Sequence, residues 1–234
     1  MKTLGLIGGT TWISTMDYYR LINQKTNELL GGLNSAQILL YSVNFEDFRP
    51  PVDPADWGAL TGKFTAVAKK LESAGVDAIL FCANTPHLIA GDLEKNLSIP
   101  LIHIARAAAD EIAAQKITKV ALLGTRITME QDFFKDKLQE RGIETLVPEA
   151  ENRQFIHDAV FNEMGKGIFS ASTKSRFLQI INGLIEQGAQ GVILGCTEFP
   201  HLIKPEDCPV PAFDTTVMHV NAAVRFLLEE QCSW

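Results

Sequence analysis

The sequence predicts an α/β protein made of two pseudo-symmetric lobes, each a parallel sheet flanked by helices. Three observations predict it. Short apolar runs alternate with longer stretches of helical period, the runs are continuous enough for strands buried on both faces, and one series of elements occurs twice. With 234 residues and 46% hydrophobic content, the chain can form two domains, each with its own core.

The elements follow in order along the chain. Apolar runs bounded by glycine or polar turns predict strands over 3–7, 36–42, 78–81, 100–103, 120–123, 144–147, 192–194 and 212–213. Stretches of helical period between them predict helices over 57–73, 105–114, 128–141, 154–165 and 172–187. This alternation favours parallel strands joined by helices.

The internal repeat defines the two lobes. A strand ending in a glycine turn occurs at Gly8 and again at Gly124, and GVDAILFCANTPH from residue 75 is matched by GAQGVILGCTEFPH from residue 188. Cys82 follows the first turn by 74 residues, and Cys196 follows the second by 72. We expect a first lobe over 1–100 plus 208–234, closed by a returning C-terminal helix over 217–228, and a second over 101–207.

Composition excludes several functions. The net charge is −7 and the 21 basic residues are scattered, which argues against nucleic acid or an anionic membrane as partner. The apolar N-terminal stretch is too short for a signal peptide or a membrane span, so we expect a cytoplasmic protein. In that compartment the four cysteines (Cys82, Cys196, Cys208 and Cys232) should be free thiols.

Two cysteines stand where an α/β sheet binds ligands, beyond the carboxyl ends of strands. If the lobes face each other, a substrate between them would have the thiols of Cys82 and Cys196 on opposite sides. Inverting a carbon centre without a cofactor needs that arrangement, one base and one acid on opposite faces. The pKa of a free thiol, about 8.5, lets thiolate and thiol coexist. Helix entries at Thr85 and after Thr197, with threonine as cap, are expected to stabilise a thiolate.

The two cysteine motifs, CANT over 82–85 and GCTE over 195–198, resemble those of the aspartate/glutamate racemase family. The similarity covers nearly the whole chain and includes the first loop and helix, with Gly8-Gly9, Trp12, Ser14-Thr15, Tyr18-Tyr19 and Arg20. The resemblance implies an isomerase independent of pyridoxal phosphate, with two α/β lobes and usually a homodimer. It also implies that the two cysteines are the catalytic bases and that no cofactor is needed.

The resemblance further implies which residues hold a small acidic amino acid. Contacts to its carboxylate and amino groups are expected from Thr10, Asn84, Thr85, Thr125, Thr197 and Glu198. Arg49 and Lys166 lie where the family places cations for the side-chain carboxylate. The chain departs from the family's first loop, with Thr10 in place of Met and Ile13 in place of Glu, which bears on substrate preference.

Other functions stay open. Related cysteine enzymes isomerise maleate or decarboxylate malonates, and a two-lobed amino-acid-binding module would need no thiols. No lysine is marked as a Schiff base for pyridoxal phosphate, and the spacing of Gly5, Gly8 and Gly9 is not the dinucleotide-binding G-x-G-x-x-G. His87 and His201 follow the cysteines by five residues, and we expect packing or backbone hydrogen bonds from them rather than metal binding. Cys208 and Cys232 receive no role.

Overall fold

The structure is a computed structural model that describes residues 1–49 and 57–229. Cys232, named in the sequence analysis, and the C-terminal Trp234 lie outside these residues. The chain divides into two compact units. Unit 1 holds the described residues of Met1–His103 and of His219–Trp234, and unit 2 is Ile104–Met218. The second boundary therefore falls at 218/219 and not at 207/208, because the strand after residue 208 pairs within the sheet of unit 2.

Unit 1 is a three-stranded parallel sheet in the order β2-β1-β3. Its described elements are β1 (Thr3–Gly8), α1 (Trp12–Leu30), β2 (Gln37–Ser42), a 3-10 turn (Phe45–Phe48), α2 (Trp57–Ser73), β3 (Ala78–Phe81), a 3-10 turn (Thr85–Ile89) and α3 (Ala90–Glu94). The period of two along β1 divides the core, because Leu4 and Leu6 pack on the α1 side and Ile7 on the α2 side. Both faces are therefore covered, as expected for parallel strands.

Unit 2 is a four-stranded parallel sheet in the order β5-β4-β6-β7. Its elements are α4 (Ile104–Ala114), β4 (Lys119–Gly124), α5 (Arg126–Glu130), α6 (Asp132–Gln139), β5 (Glu144–Leu146), α7 (Ala150–Asn162), a 3-10 turn (Met164–Lys166), α8 (Ala171–Glu186), β6 (Val192–Gly195), α9 (Phe199–Leu202), a 3-10 turn (Pro205–Asp207) and β7 (Ala212–Asp214). Two parallel sheets flanked by helices confirm the predicted α/β class.

The repeat is visible in the sheet orders. In unit 1 a parallel bridge between Ile79 and Leu101 stands where β6 pairs with β7 in unit 2. The strand predicted over 100–103 is reduced to this bridge, because the chain turns into α4 at Ile104. The last helix, α10 (Thr215–Leu228), begins in unit 2, and its later residues pack on the sheet of unit 1. Lys2 N–H donates to Leu227 O there.

Two helix predictions were wrong in extent. The stretch over 128–141 is two helices, because Gln131 is extended (ψ 158°) between α5 and α6. The helix predicted over 154–165 begins at Ala150 and ends at Asn162, since the chain turns at Glu163 into a 3-10 turn. Among the described residues no helix is both long and apolar enough to cross a membrane.

Candidate active site

Cys82 lies at the carboxyl end of β3, one residue beyond the last strand pair, Ile7 with Phe81. Its N–H donates to Ile7 O at 2.9 Å and its side chain is fully buried. The Ser14 hydroxyl, from the first turn of α1, donates to Cys82 O at 2.8 Å. This hydrogen bond ties the start of α1 to the cysteine.

The loop after β1 requires glycine at both of its first positions. A Cβ on Gly8 would lie 2.4 Å from Thr15 Cγ2, and one on Gly9, whose φ is +90°, would lie 2.1 Å from Val43 O. Gly9 N–H donates to Thr15 Oγ1 at 2.8 Å. The loop is therefore pressed between the start of α1 and the residue that follows β2. Thr10 is part-buried in this loop, and its hydroxyl has no hydrogen-bond partner among the described residues.

The chain after Cys82 turns into a short 3-10 helix. Thr85 is its first residue and not its cap, since the cap position is Asn84, whose side chain makes no capping hydrogen bond. The predicted threonine cap is therefore wrong here. His87 Nδ1 faces the carbonyls of Ala83 at 3.0 Å and of Asn84 at 3.2 Å. As carbonyls only accept, Nδ1 carries the proton, and the predicted backbone role of His87 is confirmed.

Behind this loop lies a cluster of three buried histidines, His87, His103 and His219. The His87 ring centroid is 4.8 Å from that of His103 and 5.3 Å from that of His219. His219 Nε2 donates to Ile102 O at 2.8 Å, so its Nδ1 accepts from the Tyr18 hydroxyl at 2.9 Å. Burial lowers the pKa of His219 to about 4, and burial together with the neighbouring histidines lowers that of His87. Both rings are neutral at pH 7.

Cys196 has the equivalent place in unit 2. It follows the last strand pair, Gly124 with Gly195, by one residue and is 7% exposed. A Cβ on Gly124 would lie 2.8 Å from Thr128 Cβ, as one on Gly8 would meet Thr15. Thr125 caps α5 by accepting from Thr128 N–H at 3.4 Å.

Glu198 gives Cys196 a partner that Cys82 is not shown to have. The Cys196 thiol donates to Glu198 Oε2 at 2.8 Å, and the Thr197 hydroxyl donates to the same oxygen at 2.8 Å. Glu198 also stands at the cap position of α9 without making a side-chain capping bond, so the predicted cap by Thr197 is wrong as well. The carboxylate is turned toward the thiol and not toward the helix.

The two thiols differ in what raises their pKa. Burial alone raises the pKa of Cys82 far above its ordinary value. The pKa of Cys196 is raised mainly by burial and then by the negative charge and hydrogen bond of Glu198. The backbone N–H groups of Glu198 and Thr197 lower this pKa by a smaller amount. The N–H groups of the helix entry thus lower the pKa of Cys196 in the predicted direction, but too little to stabilise its thiolate in this state, and burial is the only cause that acts on Cys82. The helices are five and four residues long, and desolvation outweighs their N–H groups.

The two predicted cations are exposed. Arg49 follows the 3-10 turn Phe45–Phe48, and Lys166 ends the 3-10 turn after α7. Neither forms an ion pair within the described part of the chain. In the same part, no group of three histidine, cysteine or acidic side chains could hold a metal ion.

The site residues that sequence reasoning did not select are mainly hydroxyls of the two loops. Ser14 holds the Cys82 carbonyl, Thr15 receives the loop amide of Gly9, and Thr11 caps α1. Thr128 packs on Gly124 in the same way. The available signal was a threonine shortly after each glycine turn, Thr15 seven positions after Gly8 and Thr128 four positions after Gly124.

The family model of the Asp/Glu/hydantoin racemases matches residues 7–223 of this chain. A crystal structure of a candidate Asp/Glu racemase from Yersinia pestis is 42% identical, with a TM-score of 0.92, over 97% of this chain and 100% of that one. The structure of an aspartate racemase homologue from Pyrococcus horikoshii OT3 is 36% identical, with a TM-score of 0.85, over 97% and 99%. A broad specificity amino-acid racemase from Bacillus subtilis is 22% identical over 97% of this chain and 99% of its own. Because the family match covers most of the chain, including both cysteine loops, this chain belongs to the Asp/Glu/hydantoin racemase family and is an isomerase.

Proposed function

We propose that the protein racemises a small acidic amino acid, aspartate or glutamate, without a cofactor, using Cys82 and Cys196 as its two bases. The observation that carries the proposal is the placement of the thiols. Each sheet ends in a buried cysteine one residue beyond its last strand pair, next to a glycine turn held by a threonine of the following helix. We further propose that the enzyme is a homodimer and acts in the cytoplasm.

The chemistry requires one thiolate and one thiol at the start of each turnover. The base takes the Cα proton, which breaks the Cα–H bond. The acid on the opposite face breaks its S–H bond and delivers that proton to Cα. Nothing is oxidised or reduced. At the end of the turnover the cysteine that acted as base is the thiol, and the one that acted as acid is the thiolate. Since burial disfavours both thiolates, the enzyme needs a device that generates one of them.

Glu198 supplies that device in the proposed mechanism. Its carboxylate accepts the Cys196 thiol proton at 2.8 Å, so a shift of the proton to oxygen produces a Cys196 thiolate without moving charge into or out of the site. The pair carries one negative charge in either form. Cys82, whose pKa is raised by burial alone, starts as the thiol. This assigns Cys196 as the first base and Cys82 as the first acid.

The substrate contacts remain a proposal from the family resemblance, supported by local features of each unit. The Thr10 hydroxyl is part-buried beside Gly9 and makes no hydrogen bond among the described residues, so a substrate oxygen could use it. Arg49 and Lys166 are exposed cations without described ion pairs, which suits the side-chain carboxylate of an acidic amino acid. Asn84, Thr85, Thr125 and Thr197 complete the proposed set.

The test is deuterium exchange at Cα in D₂O, followed by NMR, with each enantiomer of aspartate and glutamate, and with maleate and a hydantoin in parallel. Cys82→Ala and Cys196→Ala should each lower racemisation by about 10²-fold to 10⁴-fold, the contribution of a general acid or base. Each variant should retain exchange on only the enantiomer that its remaining thiol faces. Cys208→Ala is the matched control, a half-buried thiol away from the strand ends, and should keep the activity.

The proposal fails if either of the first two variants racemises at the wild-type rate, or if the wild-type protein exchanges no acidic amino acid. Turnover of maleate alone would assign the site to a related isomerisation. Binding of an acidic amino acid without exchange would make the protein a binding module.

Glu198→Gln separates proton transfer from simple charge repulsion. If Glu198 accepts the proton, Cys196 in the amide variant can lose its proton only to solvent. The kcat/KM of Glu198→Gln should therefore be below the wild-type value at pH 7, and it should approach the wild-type value as the pH rises. If Glu198 only repels the thiolate, removing its charge should raise activity at pH 7 instead. Glu198→Asp, which keeps the carboxylate, should recover part of the neutral-pH activity. An unchanged pH profile for Glu198→Gln contradicts the assignment.

A further inference from the structure

The turn after Cys82 lacks a backbone donor that its geometry calls for. In a 3-10 turn the carbonyl of one residue accepts from the N–H group three residues later. For Ala83 that residue is Pro86, which has no N–H group. The next backbone N–H group, that of His87, donates to Asn84 O at 3.1 Å. The His87 side chain supplies the missing donor, because its Nδ1–H donates to Ala83 O at 3.0 Å and is shared with Asn84 O at 3.2 Å.

This ring holds the part of the loop that the sheet and α1 do not reach. We name residues 82–87 the Cys82 loop. Its start is fixed to β1 and α1, because Cys82 N–H donates to Ile7 O at 2.9 Å and the Ser14 hydroxyl donates to Cys82 O at 2.8 Å. The His87 ring fixes the two residues that follow. The backbone is therefore held on both sides of the thiol.

Packing fixes the direction in which the His87 ring points. The ring is buried, and its centroid lies 5.3 Å from Phe81, 4.8 Å from His103 and 5.3 Å from His219. His219 is itself held by hydrogen bonds at both of its ring nitrogens. A donor locked by its neighbours loses little entropy when it forms its hydrogen bonds, so it is preorganised for the loop.

The second ring nitrogen indicates why this position holds a histidine. His87 Nε2 is buried and has no hydrogen-bond partner in the part of the chain that the structure describes. A buried polar atom without a partner costs free energy, so packing alone would favour an apolar side chain here. What imidazole adds is the donor at Nδ1 to two carbonyls of the Cys82 loop.

The repeat supplies a histidine in a different setting. His201 follows Cys196 by five residues, as His87 follows Cys82. His201 is exposed, and its ring centroid lies 5.7 Å from that of Phe169. It therefore offers a control at the equivalent position of the other half.

We propose that His87 is a positioning residue for racemisation, whose Nδ1–H holds the Cys82 loop in the geometry that lets the Cys82 thiol exchange a proton with the substrate Cα. The inference rests on the proposed function. His87 acts through Cys82 and not on the substrate. Misplacement of a reacting group by about 1 Å can cost about 100-fold in rate. Loss of the donor should therefore impair the half of the reaction that uses Cys82 and spare the half that uses Cys196.

The test compares His87→Leu with His87→Asn, two side chains of the same shape. Asparagine places an N–H donor close to the position of Nδ1, and leucine has none. Racemisation of aspartate and glutamate should fall by about 10-fold to 100-fold in His87→Leu and largely recover in His87→Asn. In D₂O, His87→Leu should lose Cα exchange mainly on the enantiomer that faces Cys82 and keep it on the one that faces Cys196. His201→Leu should keep the wild-type rates on both.

Two measurements do not depend on catalysis. Hydrogen exchange followed by mass spectrometry should show faster exchange of the Cys82 loop amides in His87→Leu than in His87→Asn, and circular dichroism checks that both variants are folded. In the wild type, ¹⁵N NMR of labelled histidine should show a neutral His87 ring with its proton on Nδ1. A ring protonated at Nε2 overturns the inference without any variant.

The kinetic outcomes separate the inference from the proposed function. His87→Leu overturns the inference if it racemises at the wild-type rate or loses exchange equally on both enantiomers. A failure of His87→Asn to recover the rate does the same, because the donor is then not what matters. A wild type that exchanges no acidic amino acid overturns the proposed function itself, so the two failures are distinguishable.

Discussion

Acidification from pH 7.5 to pH 5 should destabilise unit 1 through its buried histidines. His219 is fully buried, with Nε2 donating to Ile102 O and Nδ1 accepting from the Tyr18 hydroxyl. Protonation of Nδ1 would leave a charge in the core and turn the acceptor of the Tyr18 bond into a donor. Burial lowers the pKa of His219 from 6.5 to about 4 for this reason.

The sign and size of the effect follow from that difference. A histidine whose folded pKa is lowered contributes stability that is present above the unfolded pKa of 6.5 and is lost as the pH falls toward 4. At pH 5 the unfolded ring is protonated and the folded ring is neutral. The pH of 5 lies about 1.5 units below the unfolded pKa of 6.5, so the free energy of unfolding is lower by about 2 kcal/mol at pH 5 than at pH 7.5. His87, whose pKa is also lowered, acts in the same direction.

The assay is urea unfolding at pH 7.5 and pH 5, followed by tryptophan fluorescence, because both described tryptophans, Trp12 and Trp57, lie in unit 1. His219→Gln has no ionisable ring, so it should lose about 2 kcal/mol less than the wild type between the two pH values. Carboxylates with lowered pKa, such as Glu72, change protonation below pH 4.5 and do not interfere. Equal losses in both proteins, or none in the wild type, would refute the reasoning.

Three further predictions concern the loops and the cores. Gly8→Ala should lower the free energy of unfolding by about 1–3 kcal/mol, because its Cβ would meet Thr15. Gly62→Ala, which has open space around it in α2, should raise the free energy of unfolding by up to about 1 kcal/mol. Urea unfolding measures both, and equal effects would contradict the close packing of Gly8 against Thr15. Ser14→Ala should cost about 1 kcal/mol and lower racemisation, since the Cys82 carbonyl loses its donor at 2.8 Å; an unchanged rate would remove Ser14 from the site's support. Phe177→Ala, in the core of unit 2, should cost about 3–5 kcal/mol in a thermal or urea melt, and a loss below about 1 kcal/mol would mean that the core refills.

Much of the architecture was readable from local patterns. The α/β class and the place of both cysteines followed from buried apolar runs that end in glycine turns, because parallel strands must be covered on both faces. The α2 range was also correct as predicted, although the helix contains Gly58 and Gly62. These features depend on the period of hydrophobic residues, which neighbours in sequence determine.

Other features depended on contacts between distant residues. No glycine or proline marks the break at Gln131, and the short strand at 100–103 is lost to the start of α4. The histidine cluster joins His87, His103 and His219 from separate segments, so no sequence window contains it.

The chemistry of the site divides in the same way. A cysteine at the end of a strand in each half could be predicted from the repeat and the strand pattern, because both are local. The protonation of those thiols could not be predicted in this way. Burial and the direction of the Glu198 carboxylate set their pKa values, and both are properties of packing around the sulfur atoms that no pattern of neighbouring residues specifies.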